Sequence, residues 1–236
     1  MRSAVSFLTP VGGARSPSPA AMDWFWLVGA GLGAAVGGIW WLAARAWSAP
    51  AAAAIAVVAD LGVTGMLHFD GLLDSADGLL PPLERHRRLS IMSTPGVGAF
   101  AVGAGVSALL VRWAALTVLR PTILLTAALW CLSRAGMALT ARTQKYARDE
   151  AGGGLATAFA GPLRVWPVVA GAAVSIALAM LWRPLAGGVA VATALIAGGG
   201  VVVLARRRIG GYTGDVLGAC GFVAETVGLL VAAARW

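Results

Sequence analysis

Three carboxylates, Asp70, Asp74 and Asp77, fall within eight residues of the stretch Gly65–Gly78, which reads G-M-L-H-F-D-G-L-L-D-S-A-D-G. On an α-helix their spacing of four and then three puts them on one stripe, within about 60° of each other and over roughly 10 Å of rise. Three negative charges so close repel, and a cation between them relieves the repulsion. A hard divalent ion such as Mg²⁺ takes oxygen ligands and holds substrate phosphates as well, so the stripe is a candidate metal site. The competing reading is a solvated, acid-rich turn at the end of an apolar helix.

A second constellation is Gly210-Gly211-Tyr212-Thr213-Gly214-Asp215. Gly211, Thr213 and Gly214 allow backbone N–H groups to approach an anion where a helix begins, and helix N-termini favour negative charge. Asp215 there either caps the helix or completes a metal shell. A third is Lys145-Tyr146-Ala147-Arg148-Asp149-Glu150, followed by three glycines, where Lys145 and Arg148 are suited to clamp a phosphate. Arg134 lies inside an apolar stretch, where an ionisable side chain faces a cavity or a partner, or else snorkels to the interface. Asp60 and Arg112 are candidates for an internal, structural pair.

The elements that must position these groups follow from composition. The chain has 236 residues, 59% hydrophobic and 12% charged, with a mean hydropathy of +0.82. That is too apolar for a soluble domain and predicts an all-α, polytopic integral membrane protein, since lipid admits only helices or closed barrels and no alternating ten-residue strands occur. About seven spans are expected: Trp24–Trp47, Ala51–Phe69, Val97–Leu119, Thr122–Ala141, Trp166–Trp182, Leu185–Ala205 and Val216–Ala234. They form a single domain, 1–236. In the first span Gly29, Gly31, Gly33, Gly37 and Gly38 allow close helix contact. Residues 1–22, Pro/Ser/Gly-rich to Ala20, read as a surface arm, with no apolar core for a cleaved signal peptide. Residues Leu79–Met92 form a basic, Pro-broken segment whose Arg85, His86, Arg87 and Arg88 are expected to touch anionic lipid. Cys131 and Cys220 lie in apolar helices and imply no disulfide or zinc site.

The net charge of +8 needs no nucleic acid to explain it. With seven spans, the side of the N-terminus collects Arg2, Arg15, Arg85, Arg87, Arg88, Arg142, Lys145, Arg148, Arg164, Arg206, Arg207 and Arg208, twelve cations in all. The other side holds four, Arg45, Arg120, Arg183 and Arg235. The positive-inside rule then puts the N-terminus and all three polar constellations in the cytoplasm. A carboxylate stripe with nearby basic groups at a cytoplasmic mouth would equip a phosphotransferase acting on a diphosphate, a free carboxylate taking the proton of the attacking hydroxyl.

Five blocks in order resemble the cobalamin synthase family, the adenosylcobinamide-GDP ribazoletransferases. T-G-x-x-H-x-D-G-L-x-D-x-x-D-G is carried by Thr64, Gly65, His68, Asp70, Gly71, Leu72, Asp74, Asp77 and Gly78. Ile91-Met92, Ser133-Arg134, Tyr146-Ala147-Arg148 and G-G-x-T-G-D-x-L-G-A at Gly210–Ala219 follow with similar spacing. The resemblance implies a membrane transferase that joins α-ribazole, or its 5′-phosphate, to adenosylcobinamide-GDP with Mg²⁺, releasing GMP. In this mapping Asp70, Asp74 and Asp77 hold metal against the diphosphate with Asp215 opposite, and the ribazole 5′-oxygen attacks the phosphorus bearing cobinamide. Two departures stand out. The family's D-S-R-x-G stretch is replaced by Ser93-Thr94-Pro95-Gly96-Val97-Gly98, and Phe222 takes a family glutamate position, leaving Glu225 as the acid of the last helix. The resemblance places the protein in the inner membrane as a multi-pass enzyme, alone or as a homo-oligomer. A CDP-alcohol phosphotransferase is a rival, but its D-G-x-x-A-R motif is absent. A cation- or proton-coupled transporter using Asp60, Asp70 and Arg134 is another, although its sites belong near the midplane.

Overall fold

The computed structural model describes residues 1–11, 18–148 and 164–236. Ten α-helices account for most of these: α1 (Arg2–Leu8), α2 (Phe25–Ala43, preceded by a 3₁₀ turn Pro19–Trp24), α3 (Ala49–Val63), α4 (Leu67–Leu79), α5 (Arg85–Ile91), α6 (Ala99–Val118), α7 (Ile123–Thr143), α8 (Val165–Trp182), α9 (Pro184–Ile209) and α10 (Gly214–Ala232). Among the described residues there is no strand, only one isolated bridge between Tyr146 and Tyr212. Six helices are long and apolar enough to cross a membrane, and α3 with α4 makes a seventh if that bent pair is one span. The chain is an all-α polytopic membrane protein.

The centre is α7, packed against α2, α8, α9 and α10. In α7 and α10 most residues are buried, whereas α2, α6, α8 and α9 turn one face inward and leave the other apolar and uncovered. Small residues permit the tightest contact. A Cβ on Gly29 would lie 2.4 Å from the Trp130 carbonyl oxygen and one on Gly33 2.3 Å from that of Thr126, so spacing of four along α2 brings its backbone against α7. Gly31 and Gly38 face open space and play no part in this contact.

Three expectations need correction. The span expected over Ala51–Phe69 is broken, with α4 turned 88° from α3. The break is a Schellman C-cap: the Gly65 N–H donates to Gly62 O and the Met66 N–H to Leu61 O, with left-handed φ of 57° and 60°, while Thr64 Oγ1 donates to Asp60 O at 2.7 Å. The N-terminal residues are not a surface arm throughout. α1 buries Ala4 and Leu8 in the main core, and Phe7 stacks on Phe25 at 5.8 Å. Nor are the arginines of the basic segment all surface groups. Arg88 is 2% exposed and donates to Gly78 O and Leu79 O at 2.8 and 2.9 Å, satisfying the last carbonyls of α4 where the helix dipole favours a cation.

Candidate active site: an acidic stripe on α4 beneath two paired loops

Asp70, Asp74 and Asp77 lie together on α4, as their spacing requires. Asp70 is exposed and the other two are half-buried. The flank of α4 beside the stripe packs on the N-terminal half of α10, and two glycines set the separation: a Cβ on Gly71 would lie 2.7 Å from Asp215 O, and one on Gly218 3.2 Å from His68 Cα. This crossing brings Asp215 to the stripe. The charges of Asp215, Asp70 and Asp77 all act on Asp74, opposed by Arg148.

The two basic and glycine-rich loops, far apart in sequence, are one structure. Tyr212 N–H donates to Lys145 O at 3.0 Å and Ala147 N–H to Tyr212 O at 2.9 Å. The tyrosine rings meet edge-on at 5.5 Å, and Tyr212 Oη donates to Ala141 O at 3.2 Å. Gly211 is required here, because a Cβ would fall 2.0 Å from Lys145 O. Arg85, which sequence alone assigned to lipid, ties the pair to α5: its Nε donates to Ile209 O and its Nη2 to Ala147 O, at 3.0 and 2.9 Å. This clamp holds Arg148 over the stripe, where Nη2 donates to Asp215 Oδ2 at 3.2 Å and to Met92 O at 3.1 Å. The Lys145 side chain is exposed. Asp149, Glu150 and the glycines after them lie outside the described residues.

Thr213, not Asp215, caps α10: its Oγ1 accepts from Val216 N–H at 3.3 Å. Asp215, in the first turn, also accepts from Thr213 Oγ1 at 3.1 Å. Gly214 opens the helix and is exposed. Asp77 has a duty that the stripe did not reveal. Its Oδ2 accepts from Gly98 N–H at 2.5 Å and its Oδ1 from Ala101 N–H at 2.9 Å, so it caps α6 from another helix.

Arg134 is fully buried and stands apart from the two loops. It forms an ion pair with Glu225, donates to Ser133 Oγ at 2.6 Å and has Nη2 3.3 Å from His68 Nδ1. Neither a phosphate contact nor snorkelling describes it. The expected Asp60–Arg112 pair is present in the same network. Arg112 also donates to Glu225 Oε2 at 2.8 Å and Thr226 Oγ1 at 2.8 Å, and its guanidinium carbon sits 3.5 Å over the Phe222 ring. Trp130 Nε1 donates to Asp60 Oδ1 at 2.8 Å. Two acids and two arginines thus cancel in the interior, with Glu225 shared between both arginines. The signal for Glu225 was available, since it is an acid about three turns inside an apolar helix.

Among the described residues no three His, Cys, Asp or Glu side chains converge closely enough to hold a metal ion by themselves. That does not conflict with magnesium chemistry, because Mg²⁺ is usually held by one or two carboxylates together with substrate phosphates and water. Crowded hard-oxygen donors under one arginine fit such an ion.

Fold and site together define a polytopic membrane protein with an anion-repelling carboxylate stripe framed by cationic and glycine-rich loops. The model of the CobS family, cobalamin-5-phosphate synthase, matches residues 1–233, and the chain belongs to that family. It is similar to the adenosylcobinamide-GDP ribazoletransferase of Chlorobium phaeovibrioides, 36% identical over 219 residues that cover 87% of this chain and 84% of the relative. The enzyme of the same name from Bradyrhizobium diazoefficiens is 34% identical over 247 residues, covering 99% and 93%. That of Escherichia coli O45:K1 is 34% identical over 213 residues, covering 87% and 84%. No solved structure matches this chain.

Proposed function

We propose that the protein joins α-ribazole, or its 5′-phosphate, to adenosylcobinamide-GDP and releases GMP, at a site on the cytoplasmic side of the inner membrane. The observation that carries this reading is the convergence of the acidic stripe, Asp215 and Arg148 on one face of the α4–α10 crossing. The twelve-to-four distribution of cations supports the cytoplasmic orientation.

The family's name, cobalamin-5-phosphate synthase, supports a product that keeps a 5′-phosphate, and in such an acceptor the 5′-oxygen expected from the sequence to attack is already esterified. A ring hydroxyl of the ribose attacks instead. Its oxygen bonds to the phosphorus that carries cobinamide, the bond from that phosphorus to the bridging oxygen breaks, and GMP leaves with the bridging oxygen and its electron pair. The hydroxyl proton passes to a carboxylate. Asp74 is suited to receive it, because burial first and then its three acidic neighbours raise its proton affinity.

Asp70 and Asp215 are the residues that would hold magnesium, which when bound supplies positive charge to the diphosphate oxygens, and Asp74 between them stays free to take the proton. Asp77 completes the stripe while holding α6 in place. Arg148 is placed to share the diphosphate charge, with Lys145 at the rim. Thr213, Gly211 and Gly214 shape the loop and leave the first N–H groups of α10 available to a phosphate oxygen. Arg134 orients α4 through His68.

The test is turnover. Purified protein in liposomes, given adenosylcobinamide-GDP, Mg²⁺ and α-ribazole or its 5′-phosphate, should release GMP with at least one acceptor, and Asp74→Asn should lower the rate by ~10²-fold or more. Wild-type protein that releases no GMP, or Asp74→Asn that turns over normally, would refute the assignment.

A further inference from the structure

The proposed reaction needs a seat for each substrate, and the two ends of the stripe differ. Arg148, Asp215 and the start of α10 surround one end. At the other, where Asp77 sits, a cleft of ≈ 530 Å³ opens between α4, α5 and the first turn of α6. Ile91 and Phe100 contribute its apolar walls, Ser90 and Thr94 bring hydroxyls, and Arg87 and Asp77 are its charged groups. Asp77 holds its side of the cleft rigidly, because its two backbone contacts fix the start of α6 against α4. Gly98 belongs to the same arrangement, since a Cβ there would fall 2.7 Å from Asp77 Oδ1.

We propose that this cleft binds the nucleoside acceptor, with the planar base against Ile91 and Phe100, the ribose ring hydroxyls toward Asp77, and the 5′ end at Arg87. The inference rests on the proposed reaction and adds which substrate lies where. Size is the first argument: pockets of ~300–1,000 Å³ bury drug-sized ligands, which suits a nucleoside, whereas a corrin ring with a nucleotide tail is several times larger. Composition is the second. Apolar walls with a few hydroxyls match a flat heteroaromatic base and a sugar, and a lone arginine matches one phosphate. Position is the third, since Asp77 is three residues from Asp74, about 4.5 Å along the helix. A ribose at Asp77 therefore presents its ring hydroxyl to the carboxylate proposed to take the proton. In this orientation Arg87 distinguishes the phosphorylated acceptor from the free nucleoside.

The experiment compares both acceptors in liposome-reconstituted protein. Arg87→Met should raise KM for α-ribazole 5′-phosphate about tenfold, the scale of one lost charge-assisted hydrogen bond, and leave KM for α-ribazole within about twofold. Phe100→Ala should raise KM for both acceptors, and neither variant should move KM for adenosylcobinamide-GDP. Phe100→Leu serves if the alanine variant fails to fold. Equilibrium binding of radiolabelled α-ribazole 5′-phosphate to the Asp74→Asn protein, with and without Arg87→Met, reads the same loss without turnover. Equal binding in the two proteins, or a shift confined to the corrinoid KM, would overturn the assignment. Absence of GMP release by the wild-type protein would instead count against the reaction itself.

Discussion

Glu225 is the residue on which the interior of this protein balances, and replacing it tests the physical account of the fold. Its two oxygens serve Arg112 and Arg134 on different helices, and Ser133 Oγ donates to it at 2.6 Å. All three ionic side chains are at most 2% exposed. Glu225→Gln keeps the shape but leaves Arg134 with no carboxylate and the network one positive charge in excess. Removing one partner of a buried pair destabilises by ~3–5 kcal/mol, because the remaining charge keeps its desolvation penalty. At ~2–4 °C per kcal/mol for a chain of this size, the midpoint should fall by about 6–20 °C. Thermal unfolding of the detergent-solubilised protein, followed by circular dichroism, measures it. The double variant Arg134→Met/Glu225→Gln should be more stable than the sum of the singles by ~1 kcal/mol or more, since Asp60 and Arg112 then remain as a neutral pair. A midpoint within about 2 °C of wild type for Glu225→Gln, or simple additivity in the double variant, would show that the network carries no such charge balance.

Other perturbations have equally definite outcomes. Arg88→Met removes two donors from the C-terminal carbonyls of α4 and should destabilise by ~2–3 kcal/mol, read as a lowered midpoint in the same unfolding experiment. Gly71→Ala forces a Cβ to within 2.7 Å of a backbone oxygen, so α4 and α10 must separate; a loss of ~1–3 kcal/mol and a larger loss of GMP release are expected. Gly211→Ala should uncouple the two loops through its clash with Lys145 O, seen as proteolytic exposure of the Arg148 loop and reduced turnover.

Much of this molecule is written locally. Runs of apolar residues long enough for lipid fix the helical class and locate six of the spans, and 3.6-residue periodicity is enough to align Asp70, Asp74 and Asp77 before anything packs against them. An ionisable residue inside such a run announces a partner, which is why Asp60 and Arg112 could be paired from sequence and why Glu225 could have been added. The orders of the motifs pointed to the family for the same reason, since each motif is a short contiguous stretch. Other decisions depend on contacts that no window of sequence contains. Whether Asp77 caps α6, whether Arg85 and Arg88 face lipid or the ends of other helices, and whether Arg134 meets a phosphate or Glu225 all turn on which helix lies alongside. The 88° break between α3 and α4 is set by two consecutive left-handed residues, one of them a methionine, whose sequence gives no such signal. Partner choice is a property of three-dimensional packing because a buried charge or orphan carbonyl is satisfied by whatever donor the fold brings within about 3 Å, however distant along the chain.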